Sequence, residues 1–211
     1  MAKAIKARSP VQKRGIETKA KVVEAAKALF VEKGYYNTHA LEIAARAGVA
    51  TGTFYSYFND KKEVLLEVIR QFYRDALDKV LAGLDQDLLR SGDGRKIIRT
   101  LIQALYDIHA SQQDLHRAIF PLIFMIEDGL AISRQEDRSV IQTIAAYFES
   151  YRHLLRVTDM QAAAEIAFKA SDEIIHRILF WGCESEGQKL LLELEDMLFQ
   201  YLMLPPKRSG P

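Results

Sequence analysis

The stretch Ile43-Ala44-Ala45-Arg46-Ala47-Gly48-Val49-Ala50-Thr51-Gly52-Thr53-Phe54-Tyr55-Ser56-Tyr57-Phe58 reads as two short helices joined by a tight turn. Ile43, Ala44 and Ala47 repeat at the period of a buried helical face. Gly48 closes that helix, and Phe54 and Phe58, four apart, share one side of the next. The same period continues outward. Upstream, Thr38 is placed to cap the helix carrying Ile43. Thr18 is placed to cap an earlier one, whose stripe of Val22, Val23, Ala26, Leu29 and Phe30 stops at Gly34. Downstream, Asp60 followed by Glu63 forms a capping-box start for a long helix with Leu65, Val68, Ile69, Phe72, Ala76, Val80 and Leu84 in register. Beyond the polar loop Ser91-Gly92-Asp93-Gly94, periodic segments follow at about 95–110, 115–126, 133–157, 159–181 and 187–204. Sustained strand-type alternation is missing, so the spacing predicts an all-α chain of about nine helices. Irregularity is expected near Pro121, whose ring removes a backbone donor and crowds the preceding turn. The predicted division is a disordered basic arm over 1–15, a helix-turn-helix domain over 16–66, a larger helical domain over 67–204 and a loose tail over 205–211.

A chain of 211 residues can bury one or two cores without disulfides or metals. Cys183 is the lone cysteine, so no intramolecular disulfide can form and zinc motifs built on cysteine pairs are excluded. No run approaches the roughly 18 apolar residues of a membrane span, and the N-terminus lacks the apolar core of a secretory signal. A cytoplasmic protein with no membrane partner is therefore expected. The net charge of +1 hides an asymmetry: residues 1–62 hold 12 Lys and Arg against 5 Asp and Glu, and the remainder 17 against 23. A basic head on an acidic body suggests that one end meets a polyanion. His109, His116, His153 and His176 show no short metal-ligand spacing and no paired nucleophile, so no metal, cofactor or enzymatic activity is expected.

Two helices and a tight turn can present the second helix to the major groove of DNA if inward positions are apolar and outward ones small or hydrogen-bonding. Here Ile43, Ala47, Val49, Phe54 and Phe58 supply the inner packing, and Thr51, Gly52, Thr53, Tyr55, Ser56 and Tyr57 the outward or flanking surface. The run from Thr38 to Leu65, with Gly34-Tyr35 before it, resembles the DNA-binding domain of the tetracycline-repressor (TetR) family. The likeness extends from about Thr18 to Leu66. It implies that Thr51, Gly52, Thr53, Tyr55 and Tyr57 sit on or beside the DNA face. Thr51 and Thr53 would reach base edges or a thymine methyl, Gly52 would let the backbone approach, and the tyrosine hydroxyls would meet phosphates. The resemblance also makes Lys61 a phosphate contact at the start of the next helix, and Thr38 a residue that caps the second helix and touches the DNA backbone. Leu41 and His39 depart from the family's usual polar or basic residue and Ser or Thr.

In the larger domain two stripes suit dimerisation: Ala163, Ile166, Ala167, Ala170, Ile174 and Ile178 on one helix, and Leu191, Leu194, Met197, Leu198 and Tyr201 on the other. The resemblance implies that two such pairs pack as a four-helix bundle about a two-fold axis. Tyr106, His109, Phe120, Phe124, Met125, Phe148, Tyr151, Phe168 and His176 form an aromatic, mildly polar set on helices that the family wraps around a ligand cavity, which would suit a small hydrophobic or aromatic effector. The expected function is a homodimeric, ligand-released transcriptional repressor of double-stranded, pseudo-palindromic operator DNA. A constitutive DNA-binding dimer without a ligand, or a helical enzyme or interaction module, are the alternatives.

Overall fold

The computed structural model describes residues 13–204 apart from 85 and 183; Lys3, Lys6 and Arg8 of the expected arm, and the expected tail, lie outside the described residues. Among the described residues there are ten α-helices, one short 3-10 turn and one isolated antiparallel bridge but no strand. The chain is all-α. It divides into two compact units, one comprising the chain up to Phe72 with Asp114–Ser133, the other Tyr73–Gln113 with Arg134 onward.

In the first unit α1 spans Lys13–Lys33, α2 Ala40–Arg46, α3 Thr51–Tyr57 and α4 begins at Lys61, running on to Ala82. The face of α1 carrying Val22, Val23, Ala26, Leu29 and Phe30 is buried as its spacing predicted. The helix starts five residues before the expected cap. Thr18 lies inside it and turns its hydroxyl back to the Arg14 carbonyl at 2.8 Å, so Thr18 is no N-cap, and Lys13 and Arg14 belong to the helix rather than to an arm. The unit also takes in α7 (Gln113–Met125) from Asp114 on, and the first turn of α8 (Gly129–Ser150), which the expected boundary at 66 had assigned elsewhere. Two contacts explain this. Phe72 meets His116 edge-on at 5.6 Å, and the Lys62 ammonium pairs with Asp128 at 2.9 Å. The helix passes through Pro121 and ends at Met125. The irregularity comes just after, where Asp128 adopts φ +45° and Gly129 follows at a place where a Cβ would lie 2.6 Å from the Ile123 carbonyl oxygen.

The second unit holds the rest of α4, α5 (Gln86–Ser91), α6 (Gly94–Ser111), most of α8, the 3-10 turn Arg152–Leu154, α9 (Met160–Phe180) and α10 (Glu184–Leu202). The helix missing from the sequence reading is α5, six residues with only Leu88 buried, too short for a period to show. Asp93 and Asp159 cap α6 and α9 by accepting from the amides of Lys96 and Ala162. The main core joins α6, α9 and α10 through Ile98, Ile102, Ala163, Ala167, Leu194, Leu198 and Leu202. Between α6 and α10 the buried Glu195 carboxylate accepts two bonds of 2.8 Å from the Arg99 guanidinium, a fork that compensates its lost hydration. The chain after α8 turns extended at Leu155 and pairs with Met203, which ends the segment expected to stay helical to 157.

Candidate nucleic-acid interface

The turn between α2 and α3 is fixed by its backbone. Gly48 has φ +67°, its amide donates to the Ala45 carbonyl, and the Val49 amide donates to the Ala44 carbonyl at 3.0 Å. This is the Schellman closure, which needs a left-handed residue at that one position. Across the turn α3 is seated by Phe54, fully buried, and by Phe58 just beyond its end, with rings 6.0 Å apart. Two ion pairs tie α2 to α1: Lys33 with Glu42 and Arg46 with Glu32, both at 2.6 Å. Part of the basic excess of the N-terminal region is thus matched by acids within the unit.

With Phe54 inward, Thr51, Gly52, Tyr55 and Ser56 are exposed, and Thr53 and Tyr57 are half-buried beside them. The Tyr55 ring stands edge-on to Phe54, which supports it while about half of the residue remains exposed. Leu41 on α2 and Tyr36 before it are also exposed, adding an apolar and an aromatic side chain to the surface of the domain. The sequence reading had noted Leu41 only as a departure and had not marked Tyr36.

Two expected contact residues are placed differently. Thr38 is 0% exposed, and its hydroxyl donates to the Gly34 carbonyl at 2.8 Å. Its side chain cannot touch DNA, and it does not cap α2. That role falls to His39, whose backbone amide donates to Glu42 in a capping box. The Lys61 ammonium donates to the carbonyls of Tyr35 and Thr38 at 2.8 Å and of Tyr36 at 3.2 Å, and lies 4.4 Å from the centre of the Tyr35 ring. An ammonium has three protons, and all three are used. Burial holds the Lys61 pKa below the usual lysine value, whereas its neighbour Lys62 is raised by its hydrogen bond to Asp128. Beside Lys62 the first unit has a groove of about 420 Å³, lined by charged residues such as Lys19, Asp60, Glu67 and Arg70 together with Tyr57 and Phe58.

The expected pocket residues separate. Phe120 and Phe124 belong to the first unit, where Phe120 stacks on His116 and Phe124 is 67% exposed. Tyr106, His109, Phe148, Tyr151, Phe168 and His176 belong to the second, where His109, Phe168 and His176 are buried, Tyr106 and Phe148 pack on core clusters, and Tyr151 is half-buried. The dimer stripes divide as well. Ala163, Ala167, Leu194 and Leu198 are sealed in their own chain's core, and Ala170, Ile174 and Tyr201 are half-buried against it. Met197 remains exposed, as do Ile166 and Leu192.

Residues 22–68 match the family described as bacterial regulatory proteins of the tetR family, and residues 95–202 the tetracyclin repressor-like C-terminal domain. The chain belongs to the TetR family. It shares 30% identity over 115 residues with the HTH-type transcriptional activator FasR of Mycolicibacterium smegmatis, a match spanning 54% of this chain and 51% of FasR. It thus spans about half the length of that relative. With the HTH-type transcriptional regulator YdgC of Bacillus subtilis it shares 23% over 198 residues, covering 92% of this chain and 97% of YdgC. In fold it is similar to the SmeT–triclosan complex, with a TM-score of 0.65 and 18% identity over 92% of this chain and 98% of that one; SmeT is the repressor of a Stenotrophomonas maltophilia multidrug efflux pump. This TetR-family chain is a DNA-binding transcriptional regulator. Among its described residues no helix is long and apolar enough to cross a membrane.

Proposed function

We propose that this regulator acts in the bacterial cytoplasm as a homodimer that represses transcription from a pseudo-palindromic operator and is released by a small hydrophobic or aromatic effector. The observation that carries the DNA reading is the surface of α3, where Thr51, Gly52 and Tyr55 are exposed while Phe54 anchors the helix from behind. Thr51 and Thr53 read bases, Tyr55 and Tyr57 hold phosphates, and Gly52 lets the backbone come close. Lys61 acts by clamping the loop from Tyr35 to Thr38 onto the start of α4, and adds its positive charge to the field there. One seven-residue recognition helix reads too few base pairs for useful selectivity, which favours two copies on half-sites about 34 Å apart or somewhat further.

The effector half of the proposal is supported by SmeT, whose complex holds triclosan, and by the aromatic set of the second unit. Because α4 supplies side chains to both units, an effector that shifts its far half is coupled to the DNA face by about 1–3 kcal/mol, or some 5- to 150-fold in affinity. The test is to recover genomic DNA fragments bound by the purified protein, sequence them and footprint the strongest site. Two related half-sites protected together support the proposal; an asymmetric single half-site, or no salt-sensitive specific binding, refutes it. Transcription from that site in a reporter, with and without the gene, separates repression from activation, the role named for FasR.

A further inference from the structure

In the second unit α6 and α9 bring His109, Asp172 and His176 together. Both imidazoles are buried, with ring centres 5.0 Å apart, and Asp172 lies one helical turn before His176 on the same face of α9. His109 Nδ1 is 2.9 Å from the Leu105 carbonyl oxygen. A carbonyl only accepts, so the proton of the neutral ring is on Nδ1 and Nε2 presents its lone pair. That lone pair faces Asp172 Oδ1 at 3.5 Å, while Asp172 Oδ2 lies 3.6 Å from His176 Nδ1.

A lone pair facing a carboxylate is repulsive unless a cation lies between them. A second proton on His109 is one such cation, but 3.5 Å is long for the charge-assisted bond it would make, normally about 2.7–2.9 Å. The distance fits another arrangement better. Zinc-type bonds of roughly 2.0–2.1 Å at a tetrahedral angle set neighbouring donor atoms about 3.3 Å apart. A donor atom of His109 and one of His176 lie within 4.8 Å of each other. The Nδ1 bond to Leu105 is also the contact that orients a ligating histidine and fixes its tautomer.

We infer that His109, Asp172 and His176 form a binding site for a borderline divalent transition-metal ion of the zinc and cobalt kind. His109 ligates through Nε2, His176 through its imidazole and Asp172 through its carboxylate, leaving a fourth position for water or a small donor. Two nitrogens and one carboxylate suit this class, whereas calcium and magnesium call for oxygen ligands throughout. Burial holds His176 below the ordinary histidine value, in its neutral ligating form. The site stands apart from the DNA reading, and it departs from the sequence expectation, which compared only the spacings between histidines and foresaw no metal.

The experiment uses the full chain, freed of metal by a chelator and titrated with Co(II), then with Zn(II) against a chromophoric chelator. The expected result is one ion per chain with visible absorption of low-coordinate Co(II). His109→Gln and His176→Gln should each weaken Zn(II) binding by about 100-fold or more, beyond what losing a hydrogen bond to a ligand usually costs, and Asp172→Asn by at least about 10-fold. His153→Gln and His39→Gln, at exposed positions, should leave it unchanged. If a ligand variant fails to fold, X-ray absorption of the zinc-loaded wild type still decides: two or more imidazoles with an oxygen donor support the site. Fewer than two imidazoles, affinity no tighter than millimolar, or stoichiometric binding that survives all three ligand substitutions overturns it.

Discussion

Replacing Lys61 with Met keeps most of the aliphatic stem and removes the ammonium, leaving three carbonyls without their donor. The Tyr36 oxygen is exposed and recovers a hydrogen bond from water at little cost. The bonds to the oxygens of Tyr35 and Thr38 are part-buried, and bonds to a charged donor are worth about 1.5–3 kcal/mol each. Taking the low end for partial exposure, adding about 0.5 kcal/mol for the cation over the Tyr35 ring, and subtracting the cost of burying the ammonium gives a net loss of about 2–3 kcal/mol. For a chain of this size that corresponds to a fall of roughly 5–10 °C in Tm. If Lys61 instead donated to a phosphate, its loss would flatten the dependence of log Kd on log salt by about one unit and leave stability nearly untouched. The assays are a thermal melt of the free protein and DNA titrations over a salt series well below the melt. The expected outcome is a lowered Tm with a slope changed by well under one unit. Lys61→Arg should fall in between, because a planar fork cannot point protons at three carbonyls around one nitrogen. A Tm within 1 °C of wild type together with a slope reduced by about one would refute the clamp and restore the phosphate contact.

At Gly48 a Cβ would meet no atom within 4 Å, so any substitution there acts through the left-handed backbone alone. Gly48→Asn should cost less than about 1 kcal/mol, Gly48→Ala about 1–2 and Gly48→Val more, an order that denaturant melts can check; equal costs would contradict it. Thr53→Ala should weaken operator binding by about 1–3 kcal/mol while leaving random DNA within about twofold, read by competition at one salt concentration. If the exposed Leu192 and Met197 lie in the proposed dimer surface, Leu192→Glu and Met197→Glu should each raise the dimer Kd by about 30-fold or more, since roughly 1 kcal/mol of apolar burial is lost twice across a two-fold axis, with the monomer fold intact. Leu194→Glu should unfold the chain instead, and sedimentation combined with circular dichroism would expose the reverse pattern.

The helices were legible where an apolar stripe was long or a cap was chemically specific. Phe54 and Phe58, the glycine at 48 and the Asp60–Glu63 start each state a local demand that a few neighbouring residues satisfy, and the structure meets them locally. Thr38 and Lys61 were misplaced for a shared reason: their partners are carbonyls of the segment between α1 and α2, and a carbonyl belongs to every residue and leaves no mark in the sequence. The division into units was hidden in the same way, because Lys62 with Asp128 and Phe72 with His116 join positions far apart in the chain. The dimer stripes show a deeper limit. A helical period reports that a face is apolar without reporting what covers it, so Leu194 and Leu198, which face their own core, look the same in sequence as a residue facing a partner. What distinguishes the two is an apolar residue on the arc that the chain itself leaves uncovered. Ile166 at 49%, Leu192 at 57% and Met197 at 48% exposure on α9 and α10 are such residues, and exposure on that scale is a cost to a lone chain that the proposed second copy would remove.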